Sequence, residues 1–152
     1  MNKTLEKFGY PDNVLFETRH WVVLLRPEQV TLGALVVGSK TDATAFGQLD
    51  AAAFEDLAHV VQRIEPALLE QFNYQKMNYL MLMMVDPHVH FHALPRYAVP
   101  PEFDGVRFID AGWPGPPDLG APTALESEVF AHLRATLRAE LGTTSRTAHA
   151  HY

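Results

Sequence analysis

Three short segments near the start of the chain carry the composition of β-strands, being rich in β-branched and aromatic residues. They are residues 13–18, 20–26 and 34–39, and residues 27–33 form a turn between the second and the third. Because no helix-length stretch separates them, we expect an antiparallel meander. Residues 1–12 show little pattern and are expected to be a lead-in to the sheet.

Two helices are predicted from apolar residues spaced three or four positions apart. The first spans residues 49–72, with Asp50 as the N-cap and Pro66 as the point where a kink or break is expected. Its apolar stripe consists of Phe54, Leu57, Val61, Ile64, Leu68 and Phe72. The second begins at the capping-box pattern of residues 123–126 and is expected to stop at Gly142. Its apolar positions are Leu125, Val129, Leu133, Leu137 and Leu141.

Two further strands are predicted between these helices. Residues 76–85 form an apolar run expected to be a strand with both faces buried, and Asp86-Pro87 then predicts a turn. Residues 88–97 alternate and predict the next strand, which Pro95 is expected to end. The proline-rich residues 98–122 are expected to be mostly loop.

The order of elements is β-β-β-α-β-β, followed by a loop and a helix. This order predicts an α+β domain, with an antiparallel sheet of about five strands and helices packed on one face. A length of 152 residues fits one domain, which we place at residues 1–142. Residues 143–152 are expected to be a disordered tail.

Composition limits the classes of protein that remain. The chain is 47% hydrophobic and 20% charged, which is typical of a globular protein, and it has no cysteine for disulfide or thiolate chemistry. Its net charge of −6 argues against a nucleic-acid polymer as partner. No apolar run reaches the ~18 residues of a membrane helix, and the N-terminus lacks the apolar region of a secretory signal. We therefore expect a cytoplasmic protein without a membrane partner.

Histidine occupies every second position in the segment HVHFHALPR, at His88, His90 and His92. On a strand, residues two apart share a face, so the three imidazoles would stand in a row with successive Cα atoms ~6.5 Å apart. The apolar residues expected to face the core are Val89, Phe91 and Ala93. Three imidazoles on one face can bind a metal, or can surround a phosphate with donors while one of them attacks phosphorus. The alternative is three solvated strand histidines without a chemical role.

The segment HVHFHALPR resembles the His-x-His-x-His-x-x signature of the histidine triad (HIT) superfamily of nucleotide hydrolases and transferases, including the trailing Pro95-Arg96. The stretches FETRHWVVLLRPEQVTLGALVVGSK and FGQLDAAAFEDLAHVV are similar to the family's hairpin and helix. The resemblance covers roughly residues 10–97, which would be the domain core, with the C-terminal loop and helix at 98–142. It also implies a homodimer.

The resemblance implies a role for each histidine. His90 would be the nucleophile that attacks the α-phosphorus and forms a nucleotidyl-histidine intermediate, which water or another acceptor resolves. The backbone carbonyl of His88 would orient His90, and His92 would donate to phosphate oxygens. The substrate would be a small nucleotide, and no cofactor would be required.

The chain departs from the family pattern at three places, so what it resembles is a divergent, bacterial-type member. Gly33-Ala34 stands where many members have Gly-His, and Met83-Met84 stands where a Gly-Gln loop usually precedes the triad. The position that often contacts the ribose hydroxyls falls at Leu25 or Arg26.

Four residues are candidates for binding substrate. Arg26 is one, through its place in the family pattern. Arg96 suits a phosphate, with a surface charge at the strand end as the alternative. Asp86 would orient a triad histidine or act as a local cap. Trp113 would stack on a base or would be a buried indole that pins the proline-rich loop.

Two rival functions remain open. The first is a metal-binding protein that uses the three alternating histidines as ligands for a divalent ion, although the outer two Cα atoms would lie ~13 Å apart. The second is a non-catalytic nucleotide-binding module, motivated by the missing Gly-Gln loop.

Overall fold

The computed structural model describes residues 1–150, with side chains described for residues 1–142. Within this part, one antiparallel sheet is built from five strands: β1 (Val14–Glu17), β2 (Trp21–Leu25), β3 (Leu35–Ser39), β4 (Lys76–Leu80) and β5 (His90–Arg96). Their spatial order is β1-β2-β3-β5-β4. The other elements are α1 (Lys3–Lys7), a 3₁₀ turn (Phe46–Gln48), α2 (Ala51–Phe72), the short hairpin β6 (Glu102–Phe103) and β7 (Val106–Arg107), and α3 (Ser127–Ala150). The predicted α+β fold class is confirmed.

The larger hydrophobic core lies between one face of the sheet and helices α2 and α3. Strand residues pointing into it alternate along the chain, as period-two patterning requires. They include Val23, Leu25, Leu35, Val37 and Ala93, and the helices add Ile64, Leu68, Leu133, Leu137 and Leu141. Val89 and Phe91 also pack into this core, so the predicted alternation of β5 is correct.

The opposite face of the sheet is covered by the N-terminal segment. Val22, Leu24 and Val36 point to this face and pack against Leu5 and Phe8. The expected lead-in is therefore an ordered layer that contains α1, and the side chain of its N-cap, Asn2, accepts a hydrogen bond from the backbone N–H of Leu5.

The prediction that a strand buried on both faces runs through residue 85 is wrong. Strand β4 ends at Leu80, and residues 81–87 form an open connection in which Met84 and Val85 are 87% and 86% exposed. Strand β5 likewise begins at His90 rather than at residue 88. Side chains at 86 and 88 bond to α1, which draws this segment away from the strand ladder.

Helix α2 keeps its predicted length but not its predicted break. Asp50 caps it, with a side-chain oxygen 3.0 Å from the backbone N of Ala53. The helix is continuous through Pro66, because burial of its inner face holds the turns on both sides of the proline against the sheet. That inner face is rotated from the predicted stripe: Phe54 is exposed, and the buried residues are Ala53, Val60, Ile64, Ala67 and Leu68.

Helix α3 begins later than the capping-box pattern indicates. The backbone N–H of Thr123 donates to the carbonyl of Gln29, which holds that segment extended, and the first helical bonds are accepted by Glu126. The helix passes through Gly142 instead of stopping there. The predicted disordered tail stays a prediction, because the side chains of 143–150 and the whole of residues 151 and 152 lie outside the described residues. None of the described helices combines the length and apolar content needed to cross a membrane.

Candidate active site

Strand β5 places His90 and His92 side by side on the face of the sheet that α1 covers. In the ladder with β3, His92 lies opposite Val36 and His90 opposite Gly38. The two imidazole centroids are 5.1 Å apart, with the rings nearly perpendicular. The spacing of two residues therefore brings two rings together, as strand geometry predicts.

His90 has a defined tautomer when its ring is neutral. Its Nδ1 lies 2.7 Å from the backbone carbonyl oxygen of His88. A carbonyl only accepts hydrogen bonds, so Nδ1 carries the proton and Nε2 keeps its lone pair. Among the described residues Nε2 has no hydrogen-bond partner, and the His90 side chain is buried, with 1% exposure. The Nε2 atom therefore has a free lone pair and is enclosed by protein.

His92 carries the complementary tautomer. The Nε–H of Arg26 donates to Nδ1 of His92 at 3.3 Å, and because a guanidinium only donates, Nδ1 is unprotonated. Burial, the positive charge of Arg26 and the neighbouring His90 together lower the pKa of His92 to about 4, against the opposing effect of Asp86. His92 is therefore neutral at pH 7 and presents Nε2–H as a donor.

His88 lies just before β5 and is tied to the N-terminal segment. The Thr4 hydroxyl oxygen accepts a hydrogen bond from the His88 backbone N–H at 3.3 Å and lies 2.9 Å from its Nδ1. Thr4 is itself buried. One hydroxyl thus holds the residue whose carbonyl orients His90.

Phe8 packs directly on the two strand histidines. Its ring centroid is 5.7 Å from that of His90 and 5.6 Å from that of His92. Residues 2–8, which we call the N-terminal cover, therefore shield His90 and His92 from solvent.

Two of the predicted substrate-binding residues adjoin the triad. Arg26 is buried beside His92 and also donates to the Glu28 carbonyl at 2.7 Å. Asp86 forms an ion pair with Lys7 of the cover at 2.6 Å, and its charge acts on both Arg26 and His92.

The other two predicted residues form a separate cluster. Arg96 lies about 13 Å along β5 from His92. Its guanidinium makes two hydrogen bonds to the Asp110 carboxylate, at 2.7 and 3.0 Å, and others to Asn78 and Gly115. Both partners of this ion pair are buried, so the alternative of a surface charge is wrong. The two guanidinium N–H groups that could bind a phosphate side by side donate to the Asp110 carboxylate instead.

Trp113 lies in the same cluster, with its ring centroid 6.0 Å from Cζ of Arg96. The indole is half-buried, not fully buried. The loop that carries it is held by Arg96, since both Asp110 and Gly115 accept from that side chain.

The residues that sequence reasoning missed are Thr4, Lys7 and Phe8. Helix α1, which contains the first two and is capped by Phe8, has five residues, and this is too short to show a 3.6-residue hydrophobic period. The one signal available was Asn2, a residue type favoured at helix N-caps.

The Nδ1 atoms of the three histidines point to different partners and do not meet at one place. Nδ1 of His90 faces the His88 carbonyl, that of His92 faces Arg26, and that of His88 faces Thr4. In the described part of the chain, no group of three or more His, Asp or Glu side chains is placed to hold a metal ion.

Comparison with known proteins identifies a family and a shared fold. A family model described as the HIT domain matches residues 7–99, which is more than half of the chain. No curated protein sequence matches the chain.

Solved structures share the fold. A histidine triad protein from Bradyrhizobium japonicum superposes with a TM-score of 0.70 at 19% identity, covering 93% of this chain and 96% of that one. A histidine triad protein from Marinobacter aquaeolei gives a TM-score of 0.70 at 22% identity, with coverages of 91% and 95%. Diadenosine triphosphate hydrolase from Plasmodium falciparum gives 0.59 at 10% identity, with coverages of 96% and 80%. With the triad sequence, the matching family model and the shared fold, this chain belongs to the HIT domain family.

Proposed function

We propose that the protein is a nucleotide hydrolase or nucleotidyl transferase that acts at the α-phosphorus of a small nucleotide through an intermediate on His90. The observation that carries this proposal is the 2.7 Å contact between Nδ1 of His90 and the His88 carbonyl. That contact holds the proton on Nδ1 and leaves the Nε2 lone pair available for phosphorus. Membership of the HIT family and the structural likeness to a diadenosine triphosphate hydrolase support the choice of substrate class.

In the first step, the Nε2 lone pair of His90 forms a bond to the α-phosphorus. The bond from phosphorus to the leaving group breaks, and the leaving group departs with the electron pair and takes a proton from the protonated form of His88, because neutral His92 has no acidic proton to give. The phosphorylated ring keeps its Nδ1–H and is cationic, so the His88 carbonyl stabilises it through the same hydrogen bond.

In the second step, water or another acceptor attacks phosphorus and the N–P bond breaks, which returns the lone pair to Nε2. The proton of the acceptor passes to the histidine that protonated the leaving group, so the site is restored. Water as acceptor makes the protein a hydrolase, and another hydroxyl compound or phosphate makes it a transferase.

His92 and Arg26 supply the electrostatic part of this mechanism. His92 is neutral at pH 7 and carries its proton on Nε2. This N–H would donate a hydrogen bond to the phosphoryl oxygens. Arg26 adds a buried positive charge behind that ring, which favours an anionic substrate.

Turnover of a panel of nucleoside phosphoramidates and dinucleoside polyphosphates tests the proposal, with His90→Ala as the matched variant. We expect hydrolysis by the native chain and a loss of at least about a thousandfold in kcat in the variant. Equal rates for the two proteins would contradict it. Tight nucleotide binding without turnover across the panel would favour a binding module instead.

A further inference from the structure

The enclosure of His90 sets a physical requirement on any reaction at this site. Its Nε2 has no accessible surface, and the ring is 1% exposed. A phosphorus atom cannot bond to a nitrogen that protein atoms surround on all sides. Some group that encloses His90 must therefore move before the nitrogen can react.

The N-terminal cover is the layer that lies over this face of the sheet. Phe8 packs on the rings of His90 and His92, and Leu5 packs on the sheet beside Val22 and Val36. A Cβ atom added to Gly38 would lie 2.2 Å from Cδ2 of Leu5, so the leucine occupies the space left by the missing side chain. The cover is fitted to the sheet through side chains and is not one of its strands.

In the described part of the chain, side chains at three positions along the cover make polar contacts outside it, and Asn13 donates to the Phe8 carbonyl at 3.4 Å. Asn2 donates to the carbonyls of Ser39 and Thr41, at 3.1 and 2.9 Å. Thr4 contacts His88, and the ion pair between Lys7 and Asp86 is partly exposed. An exposed ion pair contributes little to stability, so the apolar contacts of Leu5 and Phe8 hold most of the cover in place.

A glycine follows the cover. Gly9 has a φ of +100°, a conformation that side-chain-bearing residues rarely adopt, and a Cβ there would lie 2.1 Å from Nδ2 of Asn13. The short helix ends at this point, since Gly9 N–H already donates back to the Glu6 carbonyl. Residues 2–8 therefore form a small unit that ends at Gly9, and glycine has the widest range of backbone dihedrals of any residue type.

We propose that the N-terminal cover is a movable gate and that Phe8 is the residue that determines access to His90. When residues 2–8 are docked, Phe8 shields the reactive nitrogen. Substrate reaches Nε2 after the cover leaves its place on Val22 and Val36. The identity of the substrate rests on the proposed function, whereas the gating of His90 can be measured without any substrate.

A disulfide lock between Leu5→Cys and Gly38→Cys tests the gate. The chain has no cysteine, so the introduced pair is the only thiol pair present. The added Gly38 Cβ lies 3.3 Å from Cγ of Leu5, the place that a cysteine sulfur would take, which is close to the distance of about 3 Å between a Cβ and the far sulfur that disulfide bond lengths give. Oxidation would fix the cover, and reduction of the same protein would release it.

The readout is the rate at which diethyl pyrocarbonate modifies His90, located by peptide mass spectrometry. We expect the oxidised pair to react at least about tenfold more slowly than the reduced pair, and Phe8→Ala to react at least about tenfold faster than the native chain. The single variants Leu5→Cys and Gly38→Cys, with and without oxidant, serve as controls. Equal labelling of the oxidised and reduced double-cysteine variant, or unchanged labelling in Phe8→Ala, would contradict the proposal that the cover controls access to His90.

A parallel assay with a nucleoside phosphoramidate separates this inference from the proposed function. If oxidation blocks labelling but the reduced protein turns over no nucleotide, the gate stands and the proposed function fails. If the locked protein turns over nucleotide as fast as the reduced one, the proposed function stands and the gate fails.

Discussion

The hydroxyl oxygen of Thr4 lies 2.9 Å from Nδ1 of His88 and accepts a hydrogen bond from the backbone N–H of the same residue. Thr4 precedes the stretch that matches the HIT domain, residues 7–99. A residue outside the family match thus contacts the histidine whose carbonyl orients His90. The cover and the triad are therefore physically linked.

Replacement of Thr4 by valine is expected to loosen the cover while keeping its shape. Valine removes both contacts to His88. At about 1 kcal/mol net for each hydrogen bond, the population of the open cover and the labelling rate of His90 should rise at least about fivefold. Thr4→Ser keeps the hydroxyl and should label at close to the native rate. Identical rates for the valine and serine variants would show that this contact does not fasten the cover.

Replacement of Arg26 by methionine is expected to change the protonation of His92. Without the Nε–H donor, the ring loses the partner that keeps its proton on Nε2, and its pKa rises toward the ordinary value because one cause of the lowering is gone. Ring ¹⁵N chemical shifts measured against pH report both changes. A native tautomer that survives in Arg26→Met would contradict the assignment.

The depressed pKa of His92 predicts a loss of stability in mild acid. The unfolded chain, with a histidine pKa near ~6.5, binds a proton more readily than the folded chain, with a pKa of about 4, so stability is full above ~6.5 and falls as the pH drops toward 4. The contribution of His92 to the free energy of unfolding should fall by about 2 kcal/mol between pH 7 and pH 5. Urea unfolding of the native chain and His92→Gln at both pH values measures it, and equal losses in the two proteins would argue against a buried neutral His92.

The ion pair between Arg96 and Asp110 is expected to stabilise the fold rather than bind substrate. Arg96→Met leaves a buried carboxylate without its partner and should lower the free energy of unfolding by about 3–5 kcal/mol. Adding Asp110→Asn removes that charge and should recover most of the loss. An Arg96→Met variant that unfolds like the native chain but binds nucleotide poorly would instead indicate that Arg96 contacts a phosphate.

Much of the sheet and the histidine pair were predictable because their signals are local. The alternation in residues 88–97 identifies the buried and triad faces of β5, and the spacing of Leu133, Leu137 and Leu141 identifies the inner face of α3. Strand and helix periodicity are properties of a few consecutive residues. The secondary structure of these segments could therefore be predicted from their own residues.

The parts that failed depend on contacts between distant residues. The apolar stretch around Met84 has strand composition, yet it lies exposed because Asp86 and His88 bond to α1. Arg96 has the chemistry of a phosphate ligand, but its guanidinium donates two hydrogen bonds to Asp110, which lies fourteen positions later. Nothing local to either stretch indicates its partner.

The central claim is that His90 forms a covalent bond to the α-phosphorus of a nucleotide. Intact-mass spectrometry of protein mixed with adenosine phosphoramidate and quenched in alkali tests it most directly, because phosphorus bonded to a histidine nitrogen survives base. We predict an adenylyl adduct that maps to His90 and is absent from His90→Ala. Turnover of the phosphoramidate with no adduct at His90, or an adduct that persists in the alanine variant, would contradict the account.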